Sequence, residues 1–294
     1  MAVACIIALS LALSFTSCSD GSSGSSDDEK PTYTVTFDAN GGTGTMNPQI
    51  FAYGEPQNLS PNKFSVDGKD FLGWAKTSGG SIAYDDNSEY TIGAADVTLY
   101  AVWGKFVTAD NAATVIAGLE SGTSENPNVY TIKITDKTLT AEQQKEIGTA
   151  LYTKFREEND WYGFISLDLS SATGITEIPE EAFSYSCLSG LILPDSLETI
   201  GIAAFRGNIF EETVIPDNVK SIEKGSFWGC SSLKTITLPA SLVSIGASAF
   251  KNCASLKTVN YKGTQAQWEA LKSNISDGNE KLTGANIVYN YTGE

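Results

Sequence analysis

Histidine is absent from all 294 residues. That removes Ser-His-Asp and Cys-His catalysis, histidine-based zinc sites and the usual general base near neutral pH. Positive charge is also short, with 19 Lys and Arg against 35 Asp and Glu for a net charge of −16. Binding to nucleic-acid phosphates or anionic lipid headgroups by charge is therefore disfavoured. Cysteine is scarce and unevenly placed, 5 in all, which is too few for a disulfide scaffold. No Gly-Lys-Ser/Thr follows a glycine-rich run, so there is no P-loop. The acids come as adjacent pairs (Asp85-Asp86, Glu157-Glu158, Glu180-Glu181, Glu211-Glu212), not as separated partners framing a cleft. Asp85-Asp-Asn-Ser-Glu89 lacks EF-hand spacing and reads as a turn. Together these absences argue against an enzyme, and no cofactor or metal is expected.

What is present begins with an apolar stretch, residues 2 to 15, closed by Phe15-Thr-Ser-Cys18. It falls short of the roughly 20 residues a membrane span needs and suits the apolar region of an export signal. Small residues before Cys18 resemble a bacterial lipobox, which implies that Cys18 becomes a lipidated N-terminus after cleavage. No Lys or Arg precedes the apolar run, a departure from the usual signal. Ser19 to Glu29 is a polar Ser/Gly/Asp segment unable to form a core, and reads as a tether. A lipid plus a tether holds a folded module at a membrane surface yet clear of it.

Residues 32–104 read as a small separate domain. Tyr33-Thr-Val-Thr-Phe37 alternates like a strand and meets the turn signal Asp38-Ala-Asn-Gly-Gly42; Phe71-Leu-Gly-Trp74 and Val97-Thr-Leu-Tyr-Ala-Val-Trp103 add strands and aromatic core. The ordered set V-T-F-D-A-N-G-G, F-L-G-W, Y-D, L-Y-A-V-W resembles the InlB B-repeat, also called the Listeria–Bacteroides repeat. The resemblance implies a compact β-grasp module of surface proteins, serving as stalk or spacer and sometimes proposed to bind ligands. Trp74 and Trp103 are expected in the core.

The last third is periodic. Ile178-Pro-Glu-Glu-Ala-Phe183 returns as Ile200-Gly-Ile-Ala-Ala-Phe205, Ile222-Glu-Lys-Gly-Ser-Phe227 and Ile245-Gly-Ala-Ser-Ala-Phe250, with prolines keeping time at Pro194, Pro216 and Pro239. A repeat of 22 or 23 residues marks a solenoid whose units bury their apolar edges only against one another. Leu233, Ile236 and Leu238 fit an entering strand, and Leu242, Ile245 and Phe250 the return path. Ser186, Asn208, Cys230 and Cys253 each lie three residues after a Phe, where a small polar side chain pairs backbone groups left over by the turn. A disulfide between Cys230 and Cys253 on stacked coils is the alternative, since coils lie about 4.8 Å apart; Asn208 in the same slot favours the hydrogen-bond ladder. Residues 188 to 261 resemble the BspA-like leucine-rich-repeat family over three to four coils, departing from its pattern at Thr213, where neighbours are aliphatic, and at Cys187, one residue late.

Helices flank the repeats. Asn111 to Leu119 reads as a short helix, and Thr140-Ala-Glu-Gln143 as a capping box opening one through about Glu157. The strand-like Tyr130–Ile134 and Phe164–Leu169 flank that second helix. Tyr261 to Leu271 reads as a closing helix with Trp268 on the last coil, and Ala285 to Tyr291 as a strand. The expected class is α+β multidomain: signal peptide 1–17, tether 18–31, β-grasp-like domain 32–104, N-terminal cap 105–164, repeats 165–262 and C-terminal cap 263–294. The resemblance implies a lipid-anchored surface protein, facing the exterior on an outer membrane, that holds a host extracellular-matrix or cell-surface protein. The strand face is the place for such contact. Its outward positions are Gly190, Ile192, Glu212, Val214, Thr235, Thr237, Thr258 and Asn260, a mild strip without aromatic or arginine. Weak, multivalent binding is expected of it; a non-binding envelope spacer is the alternative.

Overall fold

Four phenylalanines at matched positions stack into a column at the centre of the repeats. The computed structural model describes residues 30–80, 82–156 and 162–293; the export signal, nearly all of the tether with Cys18, and the Glu157-Glu158 pair lie outside these. In it Phe183, Phe205, Phe227 and Phe250 are fully buried, with successive centroids 5.7, 5.6 and 5.2 Å apart and planes within 22° of parallel. The equal period places each ring directly over the last, so each coil buries its apolar edge against its neighbour.

In chain order the elements are β1 (Thr32–Asp38), β2 (Gln49–Ala52), β3 (Pro56–Asn58), β4 (Asp70–Ala75), β5 (Ile82–Tyr84), β6 (Glu89–Thr91) and β7 (Val97–Val107). Next come α1 (Ala109–Ala117), β8 (Asn128–Ile134), α2 (Ala141–Arg156) and β9 (Gly163–Asp168). The repeats supply β10 (Glu177–Ile178), β11 (Leu188–Ile192), β12 (Thr199–Ile200), β13 (Glu212–Val214), β14 (Ser221–Ile222), β15 (Thr235–Leu238), β16 (Ser244–Ile245) and β17 (Thr258–Tyr261). The chain ends in α3 (Gln265–Lys272), α4 (Glu280–Thr283) and β18 (Asn286–Val288). It is a leucine-rich-repeat type of fold, mostly strand with few helices.

Each coil contributes two short strands to two parallel ladders. One runs β10-β12-β14-β16 and the other β13-β15-β17-β18. β11 does not join the second ladder; it pairs with β9, in a sheet that continues through β8 and β7 to β1 and β2. The 11-residue β7 is the link. Its first half pairs with β1 and β4 inside the N-terminal region, and Gly104 to Val107 pair with Thr131 to Ile134 of β8. The boundary expected at residue 104 thus lies within a strand, and residues 32–294 form one compact unit. The N-terminal core gathers on Trp74, which is fully buried with Phe37 and Phe71 centroids 4.8 and 4.9 Å away. Trp103 is half-buried, packs on Phe71 and donates its indole N–H to the Ala39 carbonyl.

The polar ladder expected after each Phe is present at Asn208, Cys230 and Cys253, whereas the Ser186 hydroxyl donates to the Gly148 carbonyl of α2. Asn208 Oδ1 accepts the Leu188 amide at 2.8 Å, and its Nδ2 donates to the Phe183 and Phe205 carbonyls at 2.8 and 2.9 Å. Cys230 and Cys253 are free thiols, each donating to the Phe carbonyl one coil back, Phe205 and Phe227, at 3.2 Å. Burial pushes both thiols up, Cys253 to about 12 against an ordinary 9.0. A raised thiol pKa is neutral for stability below about pH 9, where neither state ionises; stability falls as pH climbs from there towards 12, where only the unfolded chain loses the proton. A thiol reagent at pH 8 is accordingly expected to label the half-buried Cys187 in the native protein and all three cysteines of residues 162–293 only after denaturation. Native labelling of three would remove the ladder.

Beyond the last repeat a side chain continues the backbone pattern. The amides of Phe205 and Phe227 donate to carbonyls of the following coil, Ser226 and Ala249. Phe250 donates instead to Asn279 Oδ1 at 3.0 Å, while Asn279 Nδ2 donates to the Gly246 and Ser276 carbonyls, as the Ser226 hydroxyl does to Gly201 and Glu223. Capping boxes open α2 (Thr140 with Gln143) and α3 (Thr264 with Gln267). Trp268 on α3 is buried against Tyr261, centroids 5.3 Å apart.

The irregular Thr213 points inward, 4% exposed, and its hydroxyl has no partner. Replacing it by the isosteric valine removes a buried unpaired group without a cavity, so Thr213→Val is expected to raise the unfolding free energy by about 1–2 kcal/mol in a denaturant titration. A loss of stability would mean the hydroxyl is satisfied.

Candidate functional site

The outward positions of β8, β9 and β11 form the floor of one cleft. Period-2 alternation puts Val129 and Thr131, Ser166 and Asp168, and Gly190 and Ile192 on the same side, because parallel pairing aligns Thr131 with Ser166 and Ser166 with Gly190. The turn between β4 and β5, residues 78–80, forms a wall, and Glu211, Glu212, Lys234 and Thr235 line the opposite side. The volume of this open cleft is about 670 Å³, within the range of ligand-sized clefts. Gly190 leaves room at the floor for the Ser166 hydroxyl, which a Cβ there would force to turn away.

Charge in the cleft is paired and partly desolvated. Asp168 is 1% exposed; one carboxylate oxygen accepts the Ser170 amide at 2.8 Å, and the other has no hydrogen-bond partner. Lys133, beside it on β8, bonds Asp85 at 3.1 Å and lies 3.9 Å from that second oxygen. Lys69 reaches in from the N-terminal region, donates to the Val129 carbonyl at 3.1 Å and sits 5.0 Å over the Tyr130 ring. Burial pulls its pKa down. Lys234 and Glu211 pair at 2.6 Å on the rim. Hydroxyls of Thr131, Ser166, Ser189 and Thr235 complete a lining suited to hydrogen-bonding ligands. Among the described residues no three Asp, Glu or Cys converge to hold a metal.

Of the eight strip positions read from sequence, Gly190, Ile192, Glu212 and Thr235 line the cleft. Val214, Thr258 and Asn260 lie outside it, with Val214 54% exposed and the other two half-buried. Rows form as aligned, Glu212–Thr235–Thr258 and Val214–Thr237–Asn260. Two points differ. The strip is broken between Ile192 and Val214, because β11 belongs to the other sheet. Thr237 is not available for contact: it is 5% exposed, in the middle of the row between Val214 and Asn260. The strip reading missed Thr131, Ser166 and Asp168, although the alternation of Tyr130–Ile134 and Phe164–Leu169 marks them as outward. Cys18 lies outside the described residues.

The BspA type leucine rich repeat region family matches residues 162–275 in 6 copies, extending beyond residues 188–261 at both ends. The Listeria-Bacteroides repeat domain family matches residues 33–102. No curated protein matches significantly. Among solved structures, a leucine rich cell surface protein from Faecalibacterium prausnitzii is 26% identical, covering 33% of this chain and 32% of its own, with a TM-score of 0.28. The pneumococcal vaccine antigen PcpA is 21% identical over 57% and 42% of the two chains, TM-score 0.34. A leucine-rich repeat protein from Bacteroides ovatus is 16% identical over 77% of both, TM-score 0.22. The chain thus spans about a third of the first of these structures and two fifths of the second. Among the described residues no helix is long and apolar enough to cross a membrane. Residues 162–275 are therefore a BspA-type leucine-rich-repeat region, and residues 33–102 are a Listeria–Bacteroides repeat domain.

Proposed function

We propose that this is a lipid-anchored bacterial surface protein that binds host or neighbouring-cell macromolecules, with the cleft and the adjoining strand rows as the contact surface. Cys18 carries the lipid and residues 19–31 the tether, on an outer membrane facing the exterior. In this reading residues 32–104 are a β-grasp-like module, and α2 and α3 close the two ends of the solenoid. The observation that carries it is the convergence on one cleft of Ile192, Glu212 and Thr235 with a buried, incompletely paired Asp168. The Asp168 carboxylate and the Lys133 ammonium 3.9 Å from it keep the floor beneath that cleft charged. Contacts over a strip so short are weak, and many anchored copies supply avidity.

The test is a saturable-binding assay of residues 32–294 against matrix and cell-surface proteins, with Ile192→Asp plus Val214→Asp as the probe. Val214 is largely exposed and Ile192 half-buried, so the double variant is expected to keep its circular dichroism spectrum and to lose binding at least tenfold. Unchanged binding in a folded double variant removes the strand face. Protease treatment of intact cells, with a periplasmic control, tests exposure.

One observation favours a second reading as envelope spacer. The sheet running unbroken from β2 to β11 joins the two regions through strand pairing, as a stalk that transmits force requires. Absence of any saturable ligand for cell-exposed protein would favour it.

A further inference from the structure

The chain has only two arginines, Arg156 and Arg206, and both stack on the same ring. The Arg206 guanidinium lies 5.2 Å from the Tyr185 ring centre and 4.3 Å from that of Trp228. Arg156 lies 5.9 Å from Tyr185, and the Lys251 ammonium 5.8 Å from Trp228. The result is an alternating row Arg156–Tyr185–Arg206–Trp228–Lys251. Its last four members follow the stacked Phe of successive repeats by one or two residues, so the row climbs a turn edge of the solenoid, away from the strand positions. Gly207, at φ +71, makes room for it: a Cβ there would come 2.4 Å from the Tyr185 ring.

Packing alone does not explain the composition. In a chain of net charge −16 three cations are gathered here, and none of the three pairs with a carboxylate among the described residues. Lys133, Lys220, Lys234, Lys262 and Lys272 do, whereas lysines such as Lys63, Lys76 and Lys105 do not, so what sets these three cations apart is the aromatic row that holds them. A guanidinium stacked on a ring keeps its in-plane N–H donors open to anions while the ring holds it in place. Arg, Trp and Tyr are also the residues that dominate binding hot spots. Arg156 and Lys251, at the two ends, are exposed.

Spacing narrows the ligand. Arg206 and Lys251 are two coils apart, about 10 Å at one strand spacing per coil. A nucleic-acid strand carries a phosphate about every 3.4 Å, far denser than the row can neutralise and repelled by the remaining acidic surface. A sparse polyanion fits, and one charge per disaccharide of an extended glycan recurs at close to the spacing of the row. At physiological ionic strength the Debye length is about 8 Å, so such a ligand responds mainly to the local cations. We propose that this row binds a linear acidic polysaccharide bearing one anionic group per disaccharide. The site is separate from the strand cleft and does not depend on it.

Hyaluronan is a suitable probe, with neutral dextran and an acidic proline-rich peptide as comparators, measured by surface plasmon resonance on the purified protein. The expected result is saturable hyaluronan binding that weakens with added salt, no dextran binding, and at least tenfold weaker binding in Lys251→Gln. Lys251 is exposed and touches the row only at its end, so that variant keeps its fold. Arg206→Gln plus Lys251→Gln is expected to abolish binding, Arg206→Lys to retain part of it, and Ile192→Asp plus Val214→Asp to leave it unchanged. Absence of hyaluronan binding overturns the proposal, as does undiminished binding in a folded Lys251→Gln. Binding of the acidic peptide alone overturns it in favour of a protein partner.

Discussion

Phe227→Ala is expected to lower the unfolding free energy by about 3–5 kcal/mol, the upper range for truncating a core aromatic. The ring is fully buried, stacked between Phe205 and Phe250 at 5.6 and 5.2 Å, with Phe210 at its edge 6.4 Å away. Phe205 and Phe250 belong to the same stack, so a cavity here is bounded above and below by rings that cannot tilt in without losing their own contacts. In a one-dimensional array an interior coil also carries two interfaces, and weakening both separates the repeats on either side. Equilibrium denaturation with Val243→Ala as control checks this; Val243 is 58% exposed and its truncation is expected to cost almost nothing. A loss below about 1.5 kcal/mol for Phe227→Ala would mean the column closes over the gap and is not what fixes the spacing of the coils.

That column was readable from the sequence because its information is local and periodic. A Phe every 22 or 23 residues, with a small polar residue three places on, states both the stack and the ladder of Asn208, Cys230 and Cys253. The two outward rows were readable for the same reason, since alignment of coils fixes register. What was not readable depends on contacts between unlike segments. Thr237 has outward parity, yet in its central place between Val214 and Asn260 it is only 5% exposed, which parity alone does not state. The cleft needs the β4–β5 turn to lie over a sheet whose strands come from both regions, and no periodicity announces that β7 passes from one to the other. Asn279 lies outside the period and completes the last coil with side-chain atoms in place of a backbone carbonyl. The row through Arg206 and Trp228 falls between these cases: its positions are periodic, but its residue types alternate between cation and ring, so no repeated letter marks it.

Gly148→Ala sets two physical effects against each other, and packing is expected to win. Gly148 lies in the middle of α2, where alanine is the better helix former by about 1 kcal/mol. By propensity alone the substitution stabilises. The helix, however, rests directly on the first coil: a Cβ at Gly148 would come within 1.7 Å of the Ala182 carbonyl oxygen and 3.4 Å of the Phe183 α-carbon. Both obstacles are main chain, so no rotamer relieves the clash, and helix and coil must part. Separation takes with it the Ser186 hydroxyl bond to the Gly148 carbonyl at 3.3 Å and the Gln144 amide bond to the Glu177 carbonyl at 3.4 Å. It also exposes the faces of Ile147 and Leu151, which are fully buried. Overpacking of this kind costs about 1–3 kcal/mol before the lost bonds, and about 1 kcal/mol more for each buried polar group left unpaired. A net loss of about 3 kcal/mol is therefore expected, with faster amide exchange in α2 and in residues 178–186 and little change around Phe250. A more stable Gly148→Ala would show that α2 is held by its own helicity and not by its seat on the coil. The same experiment bears on the turn-edge row, because α2 carries Arg156 to Tyr185. Lifting the helix is expected to remove one cation from the row while leaving Arg206 on Trp228.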